Sequence, residues 1–132
     1  MLVGTGIDVI EIVRIAHAFS RYGERFLNRV FTPSEQAYCL AKRNAAESLA
    51  ARFAAKEAAA KALGTGIGFG ITWREIEVVR ADSGKPSLAF HGRAAQFAHV
   101  LNVNNAALSL THGRDIAIAS VILEGSSPSR LP

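Results

Sequence analysis

The stretch RFAAKEAAAKALGTG, residues 52–66, constrains the fold more than any other part of the chain. Ala, Lys, Glu and Leu dominate it, and all four favour helix. Gly64 then supplies the left-handed residue at which helices commonly end. Asn44 and Glu47 have the spacing of a capping box before an apolar run, so we predict one helix that begins at Asn44 and ends near Gly64.

One acidic and one basic residue of this helix, Glu57 and Lys61, have two possible interpretations. Leu49, Phe53, Glu57 and Lys61 lie four apart, so the charged pair continues a ridge that begins with two core-type residues. In one interpretation the pair is exposed and stabilises the helix by about 0.2 to 0.5 kcal/mol. In the other, Glu57 and Lys61 are directed partly inward and serve a site.

The neighbours of Glu57 favour the second interpretation. Arg52 and Lys56 add positive charge, and the helix runs into GTGIGFG, residues 64–70, where glycines let the backbone approach a ligand closely. A carboxylate among cations beside such a backbone is typical of a site for a metal and a phosphate.

An acidic residue lies within the first predicted strand, residues 2–10 (LVGTGIDVI). Asp8 shares a strand face with Gly4 and Gly6, which clear space around it. A carboxylate in an apolar strand is costly unless it is paired or binds a cation. The alternative is that Asp8 and Glu11, which have capping-box spacing, begin the next helix.

The remaining sequence predicts further helices, paired strands and a short tail. Thr32, Pro33 and Glu35 provide an N-cap, a proline at the first helical position and a capping-box acid. We predict helices over 11–22, 32–41 and 92–101, and two hairpins with strands over 72–80, 87–90, 106–111 and 116–123. Residues 125–132, rich in Gly, Ser and Pro, predict a disordered tail, which leaves residues 1–124 as one domain.

Composition limits the classes of protein that remain. The chain has 132 residues, 49% of them apolar, which suits a single domain with one core. An excess of 15 Lys and Arg over 11 Asp and Glu gives a net charge of +4 and favours an anionic partner: nucleic acid, a phosphate ligand or an acidic protein. The single cysteine, Cys39, excludes an intrachain disulfide and is expected to be buried. Without a leader or an apolar run near ~20 residues, the protein is expected to be cytoplasmic.

Basic residues form two clusters, and a single histidine lies at a third position. Arg14 and Arg21 lie on the polar face of helix 11–22, and Arg25 joins them if that helix continues past Gly23. Such a stripe is either solvated surface or a docking face for an acidic partner. The others are a basic corner at 42–43, which also suits a helix C-terminus, and a corner histidine at 112, which is commonly a polar turn residue.

Four motifs together resemble one protein family. They are GIDVIEI at residues 6–12, RFAAKEAAAKALGTG at 52–66, a GKP turn at 84–86 and SLTH at 109–112. In this order and spacing, over residues 2–123, they closely resemble the holo-acyl-carrier-protein synthase family, the small bacterial 4'-phosphopantetheinyl transferases. The resemblance implies an α+β fold with a mostly antiparallel sheet packed against a long central helix. It also implies a homotrimer whose sites lie between neighbouring subunits.

The resemblance also implies a reaction. The phosphopantetheine arm of coenzyme A would be transferred to a serine of an apo acyl carrier protein, releasing adenosine 3',5'-bisphosphate, in fatty acid biosynthesis. By motif, Asp8 and Glu57 would bind Mg²⁺, which takes few carboxylates together with phosphate and water. Glu57, directly or through a metal-bound water, would also take the serine proton, and Lys61 would stabilise or protonate the departing phosphate.

Further roles follow by the same resemblance. The acidic carrier would dock on the face of Arg14, Arg21 and Arg25. In the trimer, the coenzyme's turn and histidine residues would lie across an interface from the two acids. The coenzyme residues would be Arg52, Lys61, Gly64, Thr65, Gly66, Lys85, Pro86, Thr111 and His112, with Lys42 and Arg43 as candidates for its 3'-phosphate.

Two rival functions remain at this point. A small basic nucleic-acid-binding module would explain the net charge, but the aromatic residues are scattered at core-like positions and do not alternate with basic ones. A different Mg²⁺-dependent phosphotransferase could use the same two acids. We expect neither a nucleic acid nor a membrane among the partners.

Overall fold

Five strands and five α-helices make up residues 1–126, the part of the chain that the computed structural model describes. The α+β class with antiparallel strands is confirmed. The elements are β1 (Leu2–Glu11), α1 (Ile12–Tyr22), α2 (Glu24–Val30), α3 (Pro33–Leu40), α4 (Ala45–Ala62), a 3-10 turn (Trp73–Glu75), β2 (Ile76–Arg80), β3 (Pro86–Phe90), α5 (Gly92–Val100), β4 (Val103–His112) and β5 (Ile116–Gly125).

The strands form two antiparallel sheets. In the larger sheet β5 lies between β1 and β4, and in the smaller one β2 pairs with β3. Both predicted hairpins are therefore confirmed. In the larger sheet Asp8 lies opposite Ala119, which is fully buried. Because cross-strand partners share a face, Asp8 is on the face that α4 covers.

Two glycines let β1 approach the backbone of α4. A Cβ at Gly6 would lie 1.9 Å from the carbonyl oxygen of Ala58, and one at Gly4 would lie 2.1 Å from that of Ala62. Any larger residue at these positions would push the strand away from the helix. Most of the α4 side chains that face the protein interior are alanines, which also shortens the distance between the layers.

The predicted helix ends are confirmed where they depend on side-chain caps. Asn44 Oδ1 accepts a hydrogen bond from the Glu47 amide at 3.2 Å. Gly64, just beyond α4, has φ +83°. Thr32 and Glu35 form the capping box of α3.

Several predicted boundaries are wrong for local reasons. Gly23 has φ +56°, so α1 ends and a separate α2 begins in a segment for which we predicted no helix. Arg25 therefore lies on α2 and does not extend α1. Strand β2 starts at Ile76 and not at residue 72 as predicted. The Glu75 carboxylate accepts a hydrogen bond from the Thr72 amide and stabilises a 3-10 turn that precedes the strand. Strand β5 includes Gly125, and residues 127–132 of the predicted tail lie outside the described residues.

A buried ion pair joins α3 to α4. Lys56 Nζ lies 2.8 Å from Glu35 Oε1, and both side chains are fully buried. Burial lowers the pKa of Lys56, while the Glu35 carboxylate acts in the opposite direction. The expectation that Lys56 adds positive charge beside Glu57 is therefore wrong, because this ammonium is neutralised on another face of α4.

Cys39 is fully buried, as predicted. Burial raises the pKa of its thiol to about 11, so the thiol stays protonated and unreactive. Among residues 1–126, no helix combines the length and the apolar character that crossing a bilayer requires.

Candidate functional site

The structure brings Asp8, Glu57 and Lys61 together between β1 and α4, and we call these three side chains the acid group. Lys61 Nζ lies 2.9 Å from Asp8 Oδ1, and it also donates to the Ile7 carbonyl at 3.3 Å. The Asp8 carboxylate is close enough to Glu57 for its charge to act on the Glu57 carboxyl. The alternative role for Asp8 as a helix cap is wrong, since Asp8 lies inside β1 and Glu11 occupies the N-cap position of α1.

The electrostatics of this group favour proton uptake at Glu57. Burial raises the pKa of Glu57, and the neighbouring Asp8 carboxylate raises it further, while the charges of Lys61 and Arg14 act in the opposite direction. The hydrogen bond to Asp8 raises the pKa of Lys61, so Lys61 stays charged. Glu57 therefore has the character of a proton acceptor.

The two carboxylates also suit a small divalent cation. Mg²⁺ is usually held by one or two carboxylates together with substrate phosphates and water. Within the described residues no group of three or more His, Cys, Asp or Glu side chains could hold a metal ion. The donor set of Asp8 and Glu57 therefore fits Mg²⁺ bound jointly with a phosphate ligand, and it does not fit a metal enclosed by protein alone.

A cavity of about 300 Å³ lies next to the two acids. Its lining consists of Glu57, Lys61, Gly66, Ile67 and Trp73. Gly64 and Gly66 both have positive φ, which turns the chain back over the end of α4. The amides of residues 65 and 66 donate to the Ala60 carbonyl, so they cap the helix. The predicted glycine turn thus borders the cavity through Gly66.

Three cations surround one tyrosine at the other end of α4. Lys42 Nζ lies 4.6 Å from the centroid of the Tyr38 ring, and the guanidinium carbons of Arg52 and Arg80 lie 4.4 Å from it. Burial alone would raise the pKa of Tyr38, but the hydrogen bond with Lys42 and the charges of the two arginines lower it. We call Lys42, Arg52 and Arg80 the cationic cluster.

The cationic cluster contains two predicted coenzyme residues and one that the sequence analysis missed. Arg80 ends β2, a position that indicated only a strand terminus. Its cross-strand partner is Pro86, so the predicted Lys85 and Pro86 turn lies at the same corner. Arg43 is exposed in the turn between α3 and α4.

Thr111 and His112, at the end of β4, lie near the start of α4, whereas Glu57, with Asp8 beside it, lies farther along that helix. His112 Nδ1 lies 2.9 Å from Glu47 Oε1, in the first turn of α4. His112 is the last residue of β4, and Thr111 precedes it with an exposed side chain. Glu47 precedes Glu57 by ten residues, which is about 15 Å of helix. Within one chain, His112 is therefore not part of the acid group.

A groove between α1 and α2 has an aromatic floor and a basic rim. Its volume is about 470 Å³, and Phe26, Phe53 and Trp73 form much of its floor. Arg25 and Arg29, four residues apart on α2, form the rim. Arg25 was predicted as a docking residue and Arg29 was not, although their spacing places both on one helix face.

The other two predicted docking residues differ in position. Arg21 lies over the ring of Tyr22, 5.4 Å from its centroid, and Tyr22 also lines the groove. Arg14 is exposed on α1 and is near enough to Glu57 to lower its pKa. Arg14 therefore lies between the groove and the acid group.

The chain is similar to known proteins over most of its length. Residues 4–119 match the model of the 4'-phosphopantetheinyl transferase superfamily. The holo-[acyl-carrier-protein] synthase of Koribacter versatilis is 54% identical, over 94% of this chain and 99% of that protein. The crystal structure of the holo-[acyl-carrier-protein] synthase of Neisseria meningitidis superposes with a TM-score of 0.86 at 31% identity, covering 94% of this chain and 99% of that one. The synthase of Bacillus anthracis, solved in complex with CoA (3',5'-ADP), gives a TM-score of 0.79 at 37% identity, with 96% and 99% covered.

Proposed function

This chain belongs to the 4'-phosphopantetheinyl transferase superfamily, and from that premise we propose that it acts as a holo-[acyl-carrier-protein] synthase. It transfers the 4'-phosphopantetheine arm of coenzyme A to a serine of an apo acyl carrier protein and releases adenosine 3',5'-bisphosphate. The observation that carries this proposal is the meeting of Asp8, Glu57 and Lys61 beside a cavity.

The chemistry assigns separate tasks to these three side chains. The serine oxygen attacks the β-phosphate, a new oxygen–phosphorus bond forms, and the bond to the adenosine phosphate breaks. Glu57 takes the serine proton, for which its raised pKa suits it. Asp8 and Glu57 would hold Mg²⁺, which when bound would offset charge on the diphosphate oxygens. Lys61, whose side chain is 52% exposed, is free to turn toward the departing phosphate.

Incubation with coenzyme A and an apo acyl carrier protein tests this activity directly. The carrier should gain the mass of the phosphopantetheine arm, and a chelator should stop the gain. A different Mg²⁺-dependent phosphotransferase would consume a phosphate donor and leave the carrier unmodified, which would overturn the proposal. Nucleic-acid binding would instead weaken steeply with salt and would not respond to the chelator.

The cationic cluster is suited to the 3'-phosphate of coenzyme A. Lys42, Arg52 and Arg80 present three positive charges around Tyr38. Tyr38 and the two arginines line a cavity of about 200 Å³. The acid that also borders this cavity, Glu35, is neutralised by Lys56. Pro86 pairs with Arg80 across the smaller sheet, so Lys85 and Pro86 adjoin the cluster. The turn of Gly64, Thr65 and Gly66 borders the cavity beside Glu57 through Gly66.

Arg80→Gln is expected to raise the KM for coenzyme A by about tenfold, since a hydrogen bond to a charged group contributes about 1.5 kcal/mol or more. The KM for dephospho-coenzyme A, which lacks the 3'-phosphate, should not change. Steady-state kinetics with both donors provide the measurement. Arg74→Gln, which removes an exposed arginine outside the cluster, serves as the control. An equal rise for both donors would assign Arg80 to another part of the coenzyme.

The groove between α1 and α2 is suited to the acidic carrier protein. Its aromatic floor can bury apolar carrier side chains, and its basic rim complements negative charge. Trp73 lines both this groove and the cavity beside Glu57. A carrier bound in the groove therefore lies next to the acids.

Arg25→Glu is expected to raise the KM for the carrier about tenfold and to leave the KM for coenzyme A unchanged, because charge reversal at the rim opposes an acidic partner. The increase should be largest at low salt, where screening is weakest. Arg14→Glu should also raise the carrier KM, but its charge acts on Glu57 and so kcat should change as well. A defect of Arg25→Glu confined to coenzyme A would contradict the docking assignment.

The larger sheet supports a homotrimer. One face of it packs on α4, while the other carries apolar side chains that remain exposed: Ile7 by 62%, Val9 by 55%, Ile122 by 43% and Ile116 by 39%. We call these four residues the open sheet face. Contiguous exposed apolar patches mark protein interfaces. We infer that copies of this chain cover it and that Thr111 and His112 of one subunit serve a neighbour's acids.

A further inference from the structure

The buried pair of Lys56 and Glu35 has no role in the chemistry described so far. Both side chains are fully buried, and their charged atoms lie 2.8 Å apart. Removing two charges from water is costly, and well-packed apolar residues often stabilise a fold as well as a buried ion pair does. Stability alone therefore does not explain why the pair is present, and its contacts are the better indication of its role.

The pair attaches the segment after the glycine turn to α4. Lys56 Nζ donates to the carbonyl oxygens of Trp73, at 3.1 Å, and Ile76. Glu35 Oε2 accepts the amide of Val78 at 2.7 Å, while its other oxygen accepts the amide of Thr32 at 2.8 Å. One lysine and one glutamate thus hold the 3-10 turn and the start of β2 in place.

Trp73 is the functional end of this attachment. Its ring stacks on Phe53, with centroids 4.5 Å apart and an interplanar angle of 28°. Trp73 lines both the groove between α1 and α2 and the cavity beside Glu57, so this residue forms part of the wall between them. A shift of the Trp73 backbone would alter the groove and the cavity together.

We propose that Lys56 and Glu35 are positioning residues that hold Trp73 in place, so that the carrier serine and the coenzyme arm meet at Glu57. Lys56 directly precedes Glu57 on α4, so the same helical turn that presents the proton acceptor also anchors the wall. The kinetic part of this inference rests on the proposed function. The structural part does not.

The variant Lys56→Met/Glu35→Gln tests the inference, because it removes both charges and leaves neither one buried alone. Trp73 is the single tryptophan of the chain, so intrinsic fluorescence reports on this position alone. We expect emission at longer wavelength and stronger quenching by acrylamide in the folded variant. We expect kcat to fall about 10- to 100-fold, as displacements near 1 Å can cause.

Leu123→Ala is the matched control, since Leu123 is fully buried on β5 of the larger sheet, whereas the Trp73 segment leads into the smaller sheet. Assays are run below the melting temperature of each variant. The control should retain the wild-type tryptophan spectrum and kcat. Should the double variant not fold, Glu35→Asp, which retains the charge but shortens its reach, should show smaller changes of the same kind.

Either of two results would overturn the inference. One is a wild-type spectrum and quenching constant in the folded variant, and the other is an altered spectrum with wild-type kcat. Failure of the proposed function would be distinct, because the wild-type protein itself would then leave the carrier unmodified. The fluorescence comparison would still test whether Lys56 and Glu35 hold Trp73.

Discussion

Glu57→Gln is expected to lower the rate of carrier modification by about 10²- to 10⁴-fold, the usual contribution of a general base. The amide cannot accept the serine proton, and it is a weaker ligand for a divalent cation. Single-turnover assays with saturating coenzyme A and carrier measure the loss. The substitution should not lower the melting temperature, because it removes one of two like charges that burial and proximity already oppose.

Asp8→Asn should reduce the rate by a similar factor and should weaken Mg²⁺ binding, which calorimetry measures without turnover. Its effect on stability should be small, since the lost ion pair involves a Lys61 side chain that is 52% exposed. Full activity in either acid variant would exclude the proposed mechanism.

Ile7→Glu is expected to separate the subunits and to abolish transfer. It places a charge on the open sheet face, where assembly would bury it without a partner. Size-exclusion chromatography with light scattering should show a monomer in place of a trimer. Val100→Glu is the matched control, because Val100 is 76% exposed on α5, outside the larger sheet. A trimer of Ile7→Glu, or a fully active monomer, would contradict the assembly.

Mixed trimers show whether each site draws on two subunits. Glu57→Gln and His112→Ala should each be impaired alone. When the two are unfolded together and reassembled, some sites would combine an intact Glu57 with an intact neighbouring His112. Part of the activity should then return. No recovery would indicate that both residues act within one chain.

Local signals predicted the acid group well. The glycines before Asp8 and the four-residue spacing of Phe53, Glu57 and Lys61 both concern short stretches of backbone, and regular strand and helix geometry converts them into directions in space. Capping residues such as Asn44 depended on equally local hydrogen bonds.

The partner of Lys56 and the position of Arg80 depend on long-range contacts, which local sequence patterns do not indicate. Lys56 directly precedes Glu57, yet successive side chains of a helix point about 100° apart. Only the packing of α3 against α4 shows that the partner of Lys56 is Glu35. Glu35 already had a local explanation as a capping-box acid. Arg80 joins the cationic cluster only because β2 folds beside α3, which no local pattern of β2 indicates.

The contact of Gly6 with the Ala58 carbonyl has a consequence for how the enzyme can change. Peptide groups of β1 and α4 touch directly there, so no deformable layer of side chains separates the two elements that carry the acids. The spacing of the two carboxylates therefore depends on the absence of a side chain at residue 6 and on the small size of the alanines of α4. A single methyl group at residue 6 would force β1 away from α4 and would move Asp8 away from Glu57, so this position cannot vary while the two acids keep their spacing.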